Sequence, residues 1–191
     1  MKKFLLALLA SLVPLAAVAA NPQVELKTSQ GPILIELFPD AAPATVANFL
    51  QYAKSGFYDG LIFHRVMNGF MIQGGGFDAQ MNQKAAGAPI RNEAEKAMSK
   101  GVRNAPGYLS MARTNDPHSA SAQFFINLVD NRSLDYPSRD GFGYAAFGKV
   151  IKGMEVVNGI ANVRTGDFGP HQNVPLTPVV IQSARVVEAQ P

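Results

Sequence analysis

The chain reads as mainly β, a barrel or sandwich carrying helices at its ends, and three observations predict this. Many short apolar runs are separated by Gly, Pro, Asn and Asp. The first runs alternate with a period of two around a Gly-Pro turn. Only two segments place apolar residues at helical spacing.

Taken in order, Val24, Leu26 and Thr28 alternate with Glu25 and Lys27. Ser29-Gln30-Gly31-Pro32 then leads into Ile33-Leu34-Ile35-Glu36-Leu37, which completes a β-hairpin. Val46, Phe49, Leu50 and Ala53 predict an amphipathic helix, with Pro43 early, where a missing N–H is tolerated, and Gly56 at its end. Strand-like runs follow at Leu61–Val66, Phe70–Gln73, Tyr108–Ala112, Phe124–Leu128 and Tyr144–Ile151. Met154 to Ile160, after Gly153, predicts a second helix, and Pro178–Val187 a closing strand. Gly75–Gly101, Thr114–Ala122 and Val129–Gly143 read as loops; the first is long for a structureless connection, which points to function or disorder.

The first twenty residues read as a segment outside the fold. Met1-Lys2-Lys3 is positive, Phe4 to Val18 is almost wholly apolar, and Ala17-Val18-Ala19 offers the small residues a signal peptidase reads. Residues 1–20 are therefore expected to be a secretory signal peptide, cleaved after Ala19 or Ala20. The apolar run falls short of the about 20 residues a membrane span needs. No twin arginine is present, which indicates the general export route. The expected location is the periplasm, without stable membrane association after cleavage. Without cysteine, neither a disulfide nor a lipid-modified N-terminal cysteine is possible.

Losing Lys2 and Lys3 takes the 17 Lys+Arg to 15, against 14 Asp+Glu, a net charge of +1. No basic stripe remains, so nucleic-acid binding is excluded. Residues 21–191 read as one domain, with no internal repeat or linker. No heptad or exposed apolar helix argues for an oligomer, and a monomer is the expectation.

Two blocks carry the chemistry. Phe63-His64-Arg65-Val66-Met67-Asn68-Gly69-Phe70-Met71-Ile72-Gln73-Gly74-Gly75-Gly76 places an arginine, aromatic and methionine side chains and a glutamine on an apolar strand-like segment that the glycines are expected to end. Ser110-Met111-Ala112-Arg113, through Gln123-Phe124-Phe125-Ile126-Asn127, adds a second glutamine and a buried-type phenylalanine. Together they resemble the cyclophilin family of peptidyl-prolyl cis-trans isomerases, in its secreted bacterial branch, from about Val24 to Val187.

The resemblance implies a closed eight-stranded antiparallel barrel capped by two helices. It implies an enzyme that accelerates X-Pro isomerisation in unfolded or partly folded exported proteins and assists their folding. No bond is made or broken in that reaction, so no cofactor or metal is expected. Arg65 matches the catalytic arginine, and Gln73 the glutamine that orients it and meets the substrate carbonyl. Phe70, Met71, Phe125 and Leu134 match the walls of a proline pocket, and Tyr144 its mouth. Ala112, Arg113 and Gln123 match the groove for the peptide backbone.

Three positions depart from many eukaryotic relatives. Arg113 replaces an asparagine whose contact is largely main-chain, so function is expected to survive. Ser133 replaces a tryptophan, which implies weak cyclosporin binding. Tyr144 replaces a histidine.

The rival reading is a proline-directed peptide-binding or chaperone module without turnover. Such a module has no need of Arg65 together with Gln73. A hydrolase is disfavoured, because His64 stands alone with no Gly-x-Ser-x-Gly elbow. His118 and His171 have no metal-ligand spacing to it. Gly74-Gly75-Gly76 lacks the Lys-Ser/Thr of a phosphate loop and is expected to allow a tight turn at the groove.

Overall fold

A computed structural model describes residues 20–187. The expected signal peptide lies outside the described residues, except for Ala20. β1 (Gln23–Thr28) and β2 (Gly31–Leu37) form the expected hairpin. Val24, Leu26, Ile33, Ile35 and Leu37 all point inward and are fully buried. The turn is set by Thr28, whose hydroxyl donates to the Gly31 carbonyl at 2.7 Å and accepts the Gln30 N–H at 3.1 Å.

The first helix, α1 (Pro43–Lys54), buries Thr45, Val46, Phe49 and Ala53. Its N-cap residue is Ala42, which has no side chain able to cap. Glu93, far along the chain, takes that role instead. Its carboxylate accepts the Ala44 N–H at 3.2 Å, and both the N–H and the hydroxyl of Thr45 at 2.8 Å.

β3 (Leu61–Met67), β4 (Met71–Asp78), β5 (Tyr108–Met111), β6 (Phe124–Asn127), β7 (Ala146–Lys152) and β10 (Ile181–Val187) complete an eight-stranded sheet. Its order is β10-β1-β2-β7-β5-β6-β4-β3, with every neighbouring pair antiparallel. The sheet curls around one apolar interior. Phe49 of α1 meets Tyr58, Phe124 and Phe147 there, at ring-centroid distances of 5.2–5.4 Å. The other long helix, α3 (Met154–Ala161), contributes Val157 and Ile160. It packs so closely on the first hairpin that a Cβ at Gly31 would stand 2.9 Å from Val156.

The structure corrects three expectations and adds one element. The sheet is a curled half-barrel and not a closed one. Between β3 and the residues leading into β10 there is only the isolated bridge Ile62–Val180, supported by Phe63 N–H donating to the Val179 carbonyl (3.0 Å) and Gly60 N–H to the Ile181 carbonyl (2.9 Å). Two residues before Val180 stands Pro178, which has no N–H to extend the ladder. Secondly, a short helix, α2 (Ala94–Ser99), joins the two expected ones and interrupts the segment read as a long loop. Thirdly, Gly74-Gly75-Gly76 does not end its strand; β4 runs through to Asp78. The added element, absent from the sequence reading, is a separate hairpin of β8 (Thr165–Phe168) and β9 (His171–Pro175), which lies against β3. Among the described residues no helix is long and apolar enough to cross a membrane.

Candidate active site

The site lies on the outer face of the half-barrel. Strand β6 shows how a period of two divides its residues. Phe124 and Ile126 belong to the interior cluster, while Phe125 and Asn127 do not, yet all four are buried. On neighbouring strands Ile72 and Leu109 face in. Gln73 pairs with Phe125, and Phe125 with Ser110, in one row across the outer face.

Arg65 joins that row through an irregularity. Phe63 pairs with Gly74 and Arg65 with Gln73, so β3 advances two residues while β4 advances one. In a regular strand Phe63 and Arg65 would share a face. The inserted residue, His64, lets Phe63 stay in the core while Arg65 turns outward. The Arg65 Nη1 then donates to Gln73 Oε1 at 3.4 Å, and Gln73 Nε2 donates to Gln123 Oε1 at 3.1 Å.

Nine of the ten residues singled out above line one cavity of about 120 Å³: Arg65, Phe70, Met71, Gln73, Ala112, Arg113, Phe125, Leu134 and Tyr144. The tenth, Gln123, stands beside it on Gln73. Its side chain covers Gly76, where a Cβ would come within 2.5 Å of it. Glycine at 76 therefore makes room for the Arg65–Gln73–Gln123 chain of hydrogen bonds. The apolar floor is Met71 and Phe125, both almost fully buried, and the Tyr144 ring meets Phe125 edge-on at 5.8 Å.

Arg113 contributes more than main chain. Its side chain is 3% exposed and ion-paired to Asp140. The guanidinium donates to the Gly143 and Thr114 carbonyls at 3.0 Å each and lies 4.4 Å over the Tyr144 ring. Asp140 accepts the N–H groups of Phe142 and Gly143 at 3.0 and 3.1 Å. These bonds, with the Arg113 guanidinium, hold its carboxyl below the usual carboxylate range.

A buried polar network also anchors the loops over this face. Ser110 Oγ donates to Asn104 Oδ1 at 2.7 Å, and Asn104 Nδ2 donates to Asp135 at 2.9 Å and to the Tyr144 carbonyl at 3.3 Å. Asn131 Nδ2 donates to Asn127 Oδ1 at 2.8 Å and to the Phe70 carbonyl at 3.0 Å. Phe70, Tyr144 and the neighbour of Leu134 are thus tied to one scaffold. Sequence reading missed Asp140, Asn104 and Asn131, because a lone asparagine or aspartate in a loop carries no periodic signal.

His64 is structural. Its ring is buried against Phe77, with centroids 4.7 Å apart. Burial above all, with His171 and Arg65 nearby, lowers its pKa from 6.5 to about 4. No group of three or more metal-ligating side chains occurs among the described residues.

Comparison with known proteins adds to this geometry. The family model described as cyclophilin type peptidyl-prolyl cis-trans isomerase matches residues 23–186. Peptidyl-prolyl cis-trans isomerase A of Dickeya dadantii is 52% identical over 175 residues, covering 92% of this chain and 90% of the relative. Peptidyl-prolyl cis-trans isomerase B of Escherichia coli is 53% identical over 167 residues, covering 86% and 99%. A crystal structure of a Cryptosporidium parvum cyclophilin type isomerase superposes with a TM-score of 0.74 at 28% identity, covering 89% and 99%. The same protein in the presence of the dipeptide Ala-Pro gives 0.73 at 28% identity, covering 87% and 99%.

Proposed function

The chain belongs to the cyclophilin-type peptidyl-prolyl cis-trans isomerases, and from that premise we propose that Arg65 and the cavity beside it carry the isomerisation, acting on exported proteins in the periplasm. What carries this reading is Arg65, held by Gln73 with donors to spare, on the wall of a small cavity with an apolar floor; the other arginine that lines it, Arg113, is taken up by Asp140 and two carbonyls.

Rotation about an X-Pro bond must break amide resonance, against a barrier of about 18–20 kcal/mol. In the twisted state the prolyl nitrogen loses its conjugation and becomes a hydrogen-bond acceptor. Arg65 stays charged at every relevant pH and offers donors in a planar fork. Gln73 Oε1 accepts one of them and fixes the fork, leaving the rest for that nitrogen. A donor meeting a lone pair present only in the twisted state stabilises it over both planar states, as catalysis requires. Gln73 Nε2 has one hydrogen on Gln123, and its second is available to the substrate carbonyl. Phe70, Met71, Phe125 and Leu134 seat the ring, Tyr144 closes the mouth, and Ala112, Arg113 and Gln123 border the backbone groove.

The substrate class is proline-containing, unfolded or partly folded polypeptide. Support for export is the Lys2-Lys3 segment, the apolar run and Ala17-Val18-Ala19, read as a cleaved signal over residues 1–20. The mature protein, residues 21–191, then acts as a single-domain monomer without stable membrane association. Cyclosporin binds it weakly, since Ser133 offers no indole.

Exchange NMR on an Ala-Phe-Pro-Phe-type peptide tests the mechanism. The mature protein is expected to accelerate exchange, and Arg65→Ala to lose about 10²–10³ of that acceleration, the usual cost of a transition-state donor. Full activity in the variant removes Arg65 from the mechanism. Peptide binding without acceleration by the wild type leaves a proline-recognising module.

A further inference from the structure

A second cleft, of about 550 Å³, opens between the β3–β4 hairpin and the β8–β9 hairpin. Arg65 and Gln73 line both it and the smaller cavity, so the two spaces share a wall. The far side is His171, Gln172 and Asn173 of β9. Phe77 holds that hairpin in place, its ring lying between His64 at 4.7 Å and His171 at 5.0 Å.

The lining is dominated by side-chain amides. It presents five side-chain amides, from Gln73, Gln83, Gln123, Gln172 and Asn173, and two imidazoles, from His64 and His171. Arg65 is the one cation among the lining residues, and none of them is a carboxylate. The His64 Nδ1 is buried there with no hydrogen-bond partner among the described residues. Its lowered pKa keeps the ring neutral at neutral pH. Amides and the neutral His64 imidazole each both donate and accept, which is also the character of a peptide group. They do not select a charged side chain.

A polypeptide seated by its proline in a cavity of about 120 Å³ has to leave it in two directions. We propose that the cleft walled by β9 is a second chain-binding site, which takes the backbone of the substrate polypeptide on one side of the proline. Phe168, paired with His171 across the hairpin and 53% exposed, gives the same hairpin an apolar edge for a side chain of that segment. The inference rests on the smaller cavity being the isomerisation site.

The test compares kcat/KM for a proline tetrapeptide with that for ten-residue peptides extended on its N-terminal or its C-terminal side. One extension is expected to gain about tenfold, the worth of about two added peptide hydrogen bonds. The gain should shrink in Gln172→Ala, and further in His171→Ala with Gln172→Ala, the exposed Gln172 posing little risk to folding. On the wild type, the favoured peptide should move the amide resonances of residues 170–173 and the tetrapeptide should not. Equal kcat/KM for all peptides, or a gain undiminished in the variants with resonances 170–173 unmoved, overturns the proposal. Failure of the wild type to turn over any peptide instead overturns the isomerisation site itself, while the resonances still report whether the cleft is occupied.

Discussion

The two faces of strand β6 bury their side chains by different means. Phe124 and Ile126 point into the half-barrel and belong to its hydrophobic cluster, with Phe49, Tyr58 and Phe63 around Phe124, at 5.4–6.2 Å between rings. Phe125 and Asn127 point outward and are buried just as well, but by loops. Those loops are held by Asn104, Asn131 and Arg113 and stop short of filling the space over Phe125. Helices and strands close the inner face, because an amphipathic element can present a continuous apolar stripe. Loops bring polar backbone that needs partners, so the outer face is laced with hydrogen bonds. The difference shows how one sheet carries both a core and a cavity.

Substitution of adjacent phenylalanines breaks this contrast most directly. Phe124→Ala should lower unfolding stability by about 4 kcal/mol, as for a filled core site. Phe125→Ala, which already borders a cavity, should cost clearly less in denaturant unfolding but weaken peptide binding. Equal stability losses with unchanged affinity would make the two faces one core.

His64 gives the next largest effect. Its folded pKa of about 4 lies below the unfolded 6.5, so the unfolded chain binds the extra proton between those values. The neutral ring's contribution is therefore complete above about pH 6.5 and lost as pH falls towards 4. It amounts to up to about 3 kcal/mol. Unfolding curves across that window should flatten in His64→Phe; an unchanged slope would place the titrating group elsewhere.

Asn131→Ala leaves the buried Asn127 Oδ1 without its donor and takes one of two donors from the Phe70 carbonyl, which keeps the Leu128 N–H, and should cost about 2 kcal/mol. A raised KM with little change in kcat would show that the outer network positions the pocket wall. Arg113→Lys keeps the charge and loses the stacked fork, so a stability loss of about 1 kcal/mol or less is expected. Turnover slowed by more than that stability loss explains, in protein that is still fully folded, would move Arg113 from strut to participant.

The sequence made parts of this legible for identifiable reasons. The hairpin of β1 and β2 and the apolar stripe of α1 declare themselves by period. Arg65 and Gln73 are visible because they sit in one long motif and Phe125 because it sits in the second, and their pairing across β3, β4 and β6 puts them in a row. The bulge at His64 was not visible, because period-two reading puts Phe63 and Arg65 on the same side. Nor was the continuation of β4 through Gly74-Gly75-Gly76. Those glycines answer to the rings of Phe63, Tyr58 and Phe124 and to the Gln123 side chain, all distant in sequence except Phe63. Glu93 carries no sequence signal of its capping role for the same reason, since the amides it meets lie 48 and 49 residues upstream.

Glu93 has a bearing on the order of assembly. A helix that begins Ser-x-x-Glu brings its own start signal and can form its first turn as soon as those residues are free. α1 begins with Ala42-Pro43, and its two leading amide donors are met only by a carboxylate 48 and 49 residues downstream. While the chain is made from its N-terminus, that helix therefore starts uncapped until Glu93 has emerged and the segment after β4 has folded back. From then on the helix end and the segment carrying Glu93 form a single cooperative unit. Slowed amide exchange at Ala44 and Thr45 would report from the helix that a segment halfway along the chain is in place.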